Sequence, residues 1–247
     1  MNCEYLSSRK NQYIAHLRAL ASDASYRREQ GQYLCDGYKL LEEAVDKGQR
    51  ITSVLWRAAA KVVPGLENVR QYAAPDELFD YASPMKNSPG PIFTLEIPED
   101  DADGKINNAL LLENVQDPGN VGTVIRTAAA LGIDAVILCG ACADVYSPKT
   151  ARATMGAIFR QRIIRLEPAQ VKSLGLPLIG AALSERAQDI RSLDIKNAVV
   201  AIGSEGRGLS EEMLGLCDYE LIIPMTHGSE SLNAAVAASL VMWEMVR

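Results

Sequence analysis

The chain has 247 residues, of which 48% are hydrophobic and 23% charged, with a formal net charge of −6. That length suits one large or two medium domains, and the composition is globular rather than disordered or fibrous. The negative sum argues against a generally sticky polyanion binder. The longest nearly apolar run, Ala234–Trp243, is far too short to cross a bilayer, and the N-terminal segment lacks the apolar block of a secretory leader. Five cysteines without framework spacing fit a reducing compartment, so the expected location is the cytoplasm.

In chain order, "GYKLLEEAVDKG" (Gly37–Gly48) has Leu40, Leu41, Ala44 and Val45 at helical spacing and stops at a glycine. "ITSVLW" (Ile51–Trp56) and "IFTLEI" (Ile92–Ile97) predict strands, and the acidic "PEDDADGK" (Pro98–Lys105) predicts a linker. Residues 1–97 are therefore expected to form a small α/β unit, 98–106 a linker and 107–247 a second domain. There, strands are predicted at Ala109–Glu113, Ala135–Leu138, Pro177–Leu183, Asn197–Gly203 and Tyr219–Met225, with helices between them and a last helix in "SLNAAVAASLVMWEMV". Apolar strands alternating with helices imply an α/β fold with a largely parallel sheet covered on both faces.

From Pro118 to Ile133 the chain carries a single charge, Arg126. Asp117 and Pro118 form a good N-cap and first-turn pair, so a helix is expected to begin there. At 100° per residue, Val121, Val124, Ile125 and Ala128 make its buried face, and Arg126 falls about 150° away. Its neighbours on that side (Gly119, Gly122, Thr123 and Ala130) are small, which suits close approach of another backbone. The preceding "NVQDPGNVG" is neither a Walker A loop nor a dinucleotide fingerprint.

"AIGSEGRGLSEEML" (Ala201–Leu214) is a strand, a glycine-rich turn with Glu205 at its apex, and a helix capped by Ser210. In "IPMTHGSESLNAAVAASLV" (Ile223–Val241), Ser231 is the expected cap of the last helix and Asn233 lies just inside it, where asparagine is a poor choice. Asn114, Arg126, Glu205, Ser231 and Asn233 thus gather near strand carboxyl ends, the usual ligand crevice of open α/β sheets. Residues 148–172 hold six Lys/Arg against one Asp/Glu, so Lys149, Arg152 and Arg160 are candidates for phosphate contacts. Arg27 and Arg28, with Tyr26 and Tyr33, form a second candidate RNA contact. Cys139 and Cys142 make a lone C-x-x-C, too little for a zinc site, and two histidines supply no metal cluster.

"ENVQDPGNVGTVIRTAAALG", "GSEGRGL" and "IPMTHGSESLNAAVAA" together resemble the three motifs of the SpoU (TrmH-like) ribose methyltransferases of the SPOUT superfamily. "YRREQGQYLCDGYKLLEEAV" resembles the small substrate-binding domain of the ribosomal-RNA members, with Asp36-Gly37 where the family usually has Glu-Gly. The resemblance implies a deep trefoil knot in the C-terminal domain, a homodimer, and S-adenosyl-L-methionine held at Gly203, Ile223 and Leu232, with Ala181 as a further contact. It makes Arg126 the catalytic arginine, supported by Asn114, Glu205, Ser231 and Asn233, in 2′-O-methylation of RNA, ribosomal RNA before transfer RNA. The competing reading is a non-catalytic RNA-binding or assembly factor on the same fold. His227 lies in the third motif's loop, and no catalytic role is assigned to it.

Overall fold

The computed structural model describes residues 3–59, 61, 63–98, 104–226 and 231–247. The described chain forms two compact units, one from residues within 1–99 and 144–159, the other from residues within 100–143 and 160–247.

The first unit begins with β1 (Cys3–Tyr5), α1 (Gln12–Ser22), α2 (Ala24–Gln30), β2 (Gln32–Asp36) and α3 (Tyr38–Asp46). It continues through β3 (Ile51–Arg57), β4 (Arg70–Ala74), α4 (Asp76–Ala82) and β5 (Ile92–Glu96). The strands form one mixed sheet in the order β1-β4-β3-β5-β2, with β5 antiparallel to both neighbours. Helix α1 starts where Asn11 Oδ1 accepts from Tyr13 N (2.8 Å), and it buries Ile14, Leu17 and Leu20 at helical spacing. These side chains pack with Leu34, Leu55 and Phe79 into the unit's core.

The second unit opens with β6 (Ala109–Glu113), α5 (Pro118–Leu131) and β7 (Ala135–Cys139). Asp117 Oδ1 caps α5 through Asn120 N at 2.9 Å, and Gly132 ends it in the left-handed region. The chain then contributes α6 (Pro148–Ala153) to the first unit before returning in β8 (Ile163–Arg165) and α7 (Pro168–Val171). β9 (Leu178–Ala181), β10 (Gln188–Asp189), β11 (Val199–Ile202), α8 (Glu211–Leu216), β12 (Tyr219–Ile222) and α9 (Ala234–Val246) complete it. All seven strands run parallel, in the order β10-β12-β9-β11-β6-β7-β8. Every residue of β6, β7 and β11 is buried, which is why those strands read as unbroken apolar runs rather than alternating ones. Among the described residues, no helix is long and apolar enough to cross a membrane.

Residues 144–159 join the first unit for identifiable reasons. Arg27, 4% exposed, donates Nε and Nη2 to Asp144 Oδ2 at 2.9 and 2.6 Å, and its Nη1 to the Leu20 carbonyl. The Tyr33 and Tyr146 rings lie 4.9 Å apart, and Gln49 Nε2 donates to the Phe159 carbonyl at 3.2 Å. The sequence places residues 107–247 in one domain; this packing assigns a short segment of them elsewhere. It also corrects the expectation that Arg27 and Tyr33 meet RNA, because both are buried and the guanidinium is taken up by Asp144.

Removing one partner of such a pair leaves a buried charge uncompensated. Arg27→Ala is expected to lower unfolding free energy by about 2–3 kcal/mol, below the figure for a fully buried pair because Asp144 keeps some solvent. Urea denaturation checks this, and an unchanged midpoint would show that the pair holds nothing in place.

Candidate functional site

The second unit's strands β11, β9 and β12 end around one cleft of about 520 Å³. Its walls are the turn after β11 (Gly203–Leu209), the segment Ala181–Ser184 after β9, Ile222, Ile223 and Met225 after β12, and Ser231, Leu232, Ala234 and Ala237. This is the carboxyl-end crevice expected of a parallel sheet, at a volume typical of small-molecule sites. Gly203, Ile223, Leu232 and Ala181 all line it.

Two buried carboxylates hold the walls. Glu113, 3% exposed at the end of β6, accepts from Ser210 N at 2.7 Å and from Ser210 Oγ at 2.6 Å. Ser210 Oγ in turn caps α8 by accepting from Met213 N at 3.1 Å. Glu220 on β12 accepts from Ser184 Oγ and from Arg186 Nη2 (2.8 Å), tying down the segment after β9. Between these anchors, Gly208 N donates to the Ser204 carbonyl at 2.8 Å, folding the turn back on itself. A Cβ added at Gly203 would overlap the Gly208 carbonyl and Leu209 N, so only glycine permits the close approach.

At the rim, three separated segments meet in one polar cluster. The Glu205 carboxylate accepts from Asn120 Nδ2 and from Asn233 Nδ2 (2.9 Å), and Asn233 Nδ2 also reaches Asn120 Oδ1 at 3.0 Å. Asn233 Oδ1 is the cap of α9, accepting from Ala235 N and Val236 N at 3.0 and 3.3 Å. The expected division of labour is therefore reversed: Asn233 caps the last helix, and Ser231 lines the cleft. An exposed carboxylate oriented by two amides is a fixed acceptor for a hydroxyl or an amino group of a bound ligand.

Asn120, which the sequence does not single out, joins this cluster, and Asn114, which it does, lies apart from it. Asn114 has φ +56°, its N–H bonds to the Cys139 carbonyl at 3.1 Å, and its Oδ1 accepts from Ala141 N at 2.8 Å. It shapes the turn after β7, a task suited to an asparagine in the left-handed region, and it is outside the cleft lining. The available signal for Asn120 was a polar side chain in the first turn of an otherwise bare helix. Glu113 was also missed; a charged residue closing an apolar buried strand was its signal.

Arg126 is exposed on α5 and does not line the cleft of its own chain. Of the small residues expected beside it, Gly122 is buried while Thr123 and Ala130 are open. Lys149, Arg152 and Arg160 are exposed; Arg152 Nη1 meets Met85 Sδ at 2.6 Å. Arg28 is exposed and donates to Ser25 Oγ at 3.2 Å, and Tyr26 bonds His16 Nδ1 at 2.9 Å. Burial pushes the Cys139 thiol up to about 11, with the Glu113 carboxylate adding to the shift, so it stays protonated at neutral pH. No metal-binding cluster of His, Cys, Asp and Glu occurs among the described residues, and His227 lies outside them.

Against this geometry, a model of the SpoU rRNA Methylase family matches residues 107–243. The chain is 29% identical to the 23S rRNA (guanosine(2553)-2'-O)-methyltransferase RlmP of Bacillus subtilis, over 97% of this chain and 98% of that protein. It is 29% identical to the 23S rRNA (uridine(2479)-2'-O)-methyltransferase of Streptomyces viridochromogenes, over 96% and 90% respectively. Among solved structures, an AdoMet-bound rRNA methyltransferase from Sinorhizobium meliloti aligns with a TM-score of 0.87 at 25% identity, covering 98% of this chain and 97% of that one.

Gly203→Ala forces the turn apart at a backbone–backbone contact that cannot rotate away. The expected loss is about 1–3 kcal/mol, the usual range for overpacking. Thermal melting beside Gly206→Ala, where an added Cβ meets nothing, checks it; equal melting points would refute the close-approach argument.

Proposed function

The chain belongs to the SpoU rRNA methylase family, and we propose from that premise how this molecule methylates a ribose 2′-hydroxyl of ribosomal RNA with S-adenosyl-L-methionine. When bound, the cofactor supplies an electrophilic methyl group on a sulfonium. The cleft suits it on structural grounds: Ile202, Leu209, Ile223 and Leu232 offer an apolar wall for a flat base, Ser204 and Ser231 offer polar contacts, and Gly203 removes the side chain that would fill the space. Gly203, Ile223, Leu232 and Ala181 are its proposed contacts. The strand order, with β12 between β10 and β9, is compatible with a trefoil knot in this unit, which we adopt as part of the reading.

A ribose hydroxyl is a weak nucleophile and loses its proton during in-line attack. Glu205, held by Asn120 and Asn233, is placed at the cleft rim to orient that nucleotide. Arg126 is assigned to the nucleotide's phosphate and to the charge developing on the 2′-oxygen. A guanidinium with a pKa above 12 is a poor base but a durable cation, so the proton leaves to phosphate or water. Lys149, Arg152, Arg160 and Arg28 are the remaining proposed phosphate contacts. Cytoplasmic ribosomal RNA is the proposed setting.

The observation that carries the arrangement is Arg126's position outside its own cleft lining while α9, packed against α5, leaves an apolar stripe exposed. Val236, Leu240 and Trp243 recur at helical spacing on α9, with Trp243 58% exposed. We take this stripe as the face of a homodimer in which Arg126 of one copy serves the cleft of the other.

Arg126→Ala is expected to lower kcat by at least about 10²-fold with unchanged cofactor affinity, as when a preorganised charge is removed. Mixing Arg126→Ala chains with Glu205→Ala chains should restore part of the activity, because one cleft in each mixed dimer then has both groups. No recovery in a confirmed mixed dimer would end the shared-site reading. In cells lacking the gene, one ribosomal 2′-O-methyl mark should vanish and return only with an Arg126-bearing copy; no lost mark would favour the non-catalytic RNA-binding reading.

A further inference from the structure

We propose a second RNA contact on the first unit, centred on Arg9, Arg18 and Tyr81, which takes an unpaired segment of the strand. The inference rests on the reading that RNA is the substrate, and no residue of the cleft takes part in it.

Tyr81, in the last turn of α4, gathers two guanidiniums. The Arg18 Cζ lies 4.1 Å from the ring centroid and the Arg9 Cζ 4.8 Å. Arg18 Nη1 also donates to the Tyr81 carbonyl at 2.7 Å, and among the described residues its other N–H groups have no acceptor. Two cations drawn to one ring repel each other, and a protein ordinarily relieves that with a carboxylate. Two of the acids closest in sequence are already engaged. Asp80 pairs with Arg57, and Asp23 caps α2 through Ser25 N and Tyr26 N. Among the described residues, neither Arg9 nor Arg18 has a carboxylate within ion-pair distance. In a chain of net charge −6, such a pair marks a place that awaits an external anion.

The surroundings favour a nucleotide. Arg18 borders a groove of about 370 Å³ that also includes Ser22, Ser83 and Pro84. Ser22 Oγ donates to the Arg18 carbonyl and keeps its lone pairs for a ligand donor. A guanidinium lying over a tyrosine ring is itself a flat platform on which an unstacked base can rest, while its edge N–H groups hold a phosphate. An acidic peptide would use the charges but not the flat surface. The surface also differs from the contact of Arg27 and Arg28 with Tyr26 and Tyr33 expected from the sequence, of which Arg27 and Tyr33 are buried.

The test measures binding of a mixed-sequence single-stranded RNA of about twenty nucleotides to the full-length protein across a salt series. For Arg9→Gln/Arg18→Gln, affinity should fall by about tenfold and the log–log salt slope should shrink by about 1.4, the share of two phosphates on a single strand. Cofactor affinity and melting temperature should stay at wild-type values. Arg9→Lys/Arg18→Lys should keep the slope yet bind more weakly, because charge survives and the flat platform does not. If the double variant fails to fold, Arg9→Gln alone carries the test, since Arg9 makes no hydrogen bond among the described residues and its variant should show half the slope change. Unchanged RNA affinity and slope overturn the proposal, as does loss of binding to an acidic peptide with RNA binding intact. If the wild type methylates ribosomal RNA and the double variant does so with the same KM, this surface is wrong and the functional reading survives. If the wild type methylates none, the functional reading is what fails.

Discussion

The cleft hangs from the pair formed by Glu113 and Ser210. One buried carboxylate at the end of β6 satisfies both the backbone N–H and the hydroxyl of Ser210, the residue that caps α8, 97 positions further along the chain. The bonds are charge-assisted and shielded from water, so they are stronger than exposed ones of equal length. They set where the turn after β11 ends. Gly203 sets where it begins, by allowing backbone to touch backbone. With both ends held, Glu205 at the apex has few positions open to it.

The rim cluster extends this constraint to two other parts of the chain. Asn120 belongs to the first turn of α5, Asn233 to the cap of α9, and Glu205 to the turn. Because Asn233 caps a helix with one side-chain atom and meets Glu205 with the other, the start of α9 and the carboxylate are positioned together. α5 and α9 also pack on each other, so the arrangement is supported from below as well as across the rim. A cluster held in this way needs little reorganisation to accept a further hydrogen bond.

Much of this was legible in the residues. Buried parallel strands show as unbroken apolar runs, a tight turn demands its glycines, and Ser210 and Asp117 announce the helices they cap. What was not legible depends on side-chain direction or distant partners. Asn114 and Asn120 lie six residues apart in one polar loop-to-helix stretch, and only the left-handed backbone at the first separates their tasks. Ser231 and Asn233 are both competent caps, and sequence alone does not say which one the helix uses. Arg27 reads as a surface charge because its partner, Asp144, is 117 positions away. Glu113 and Glu220 look like ordinary acids until their burial is seen.

The detour of residues 144–159 bears on how such a protein can be rearranged. The N-terminal unit is not a bead that can be snipped off at the linker, since part of its packing arrives from within the catalytic sheet, between β7 and β8. Cutting near residue 100 would strip one unit of Asp144, Tyr146 and α6 while leaving those groups stranded on the other. Gene fusion or exchange of the front module is thereby restricted to relatives that keep a matching insert, so the two units are bound to change in step.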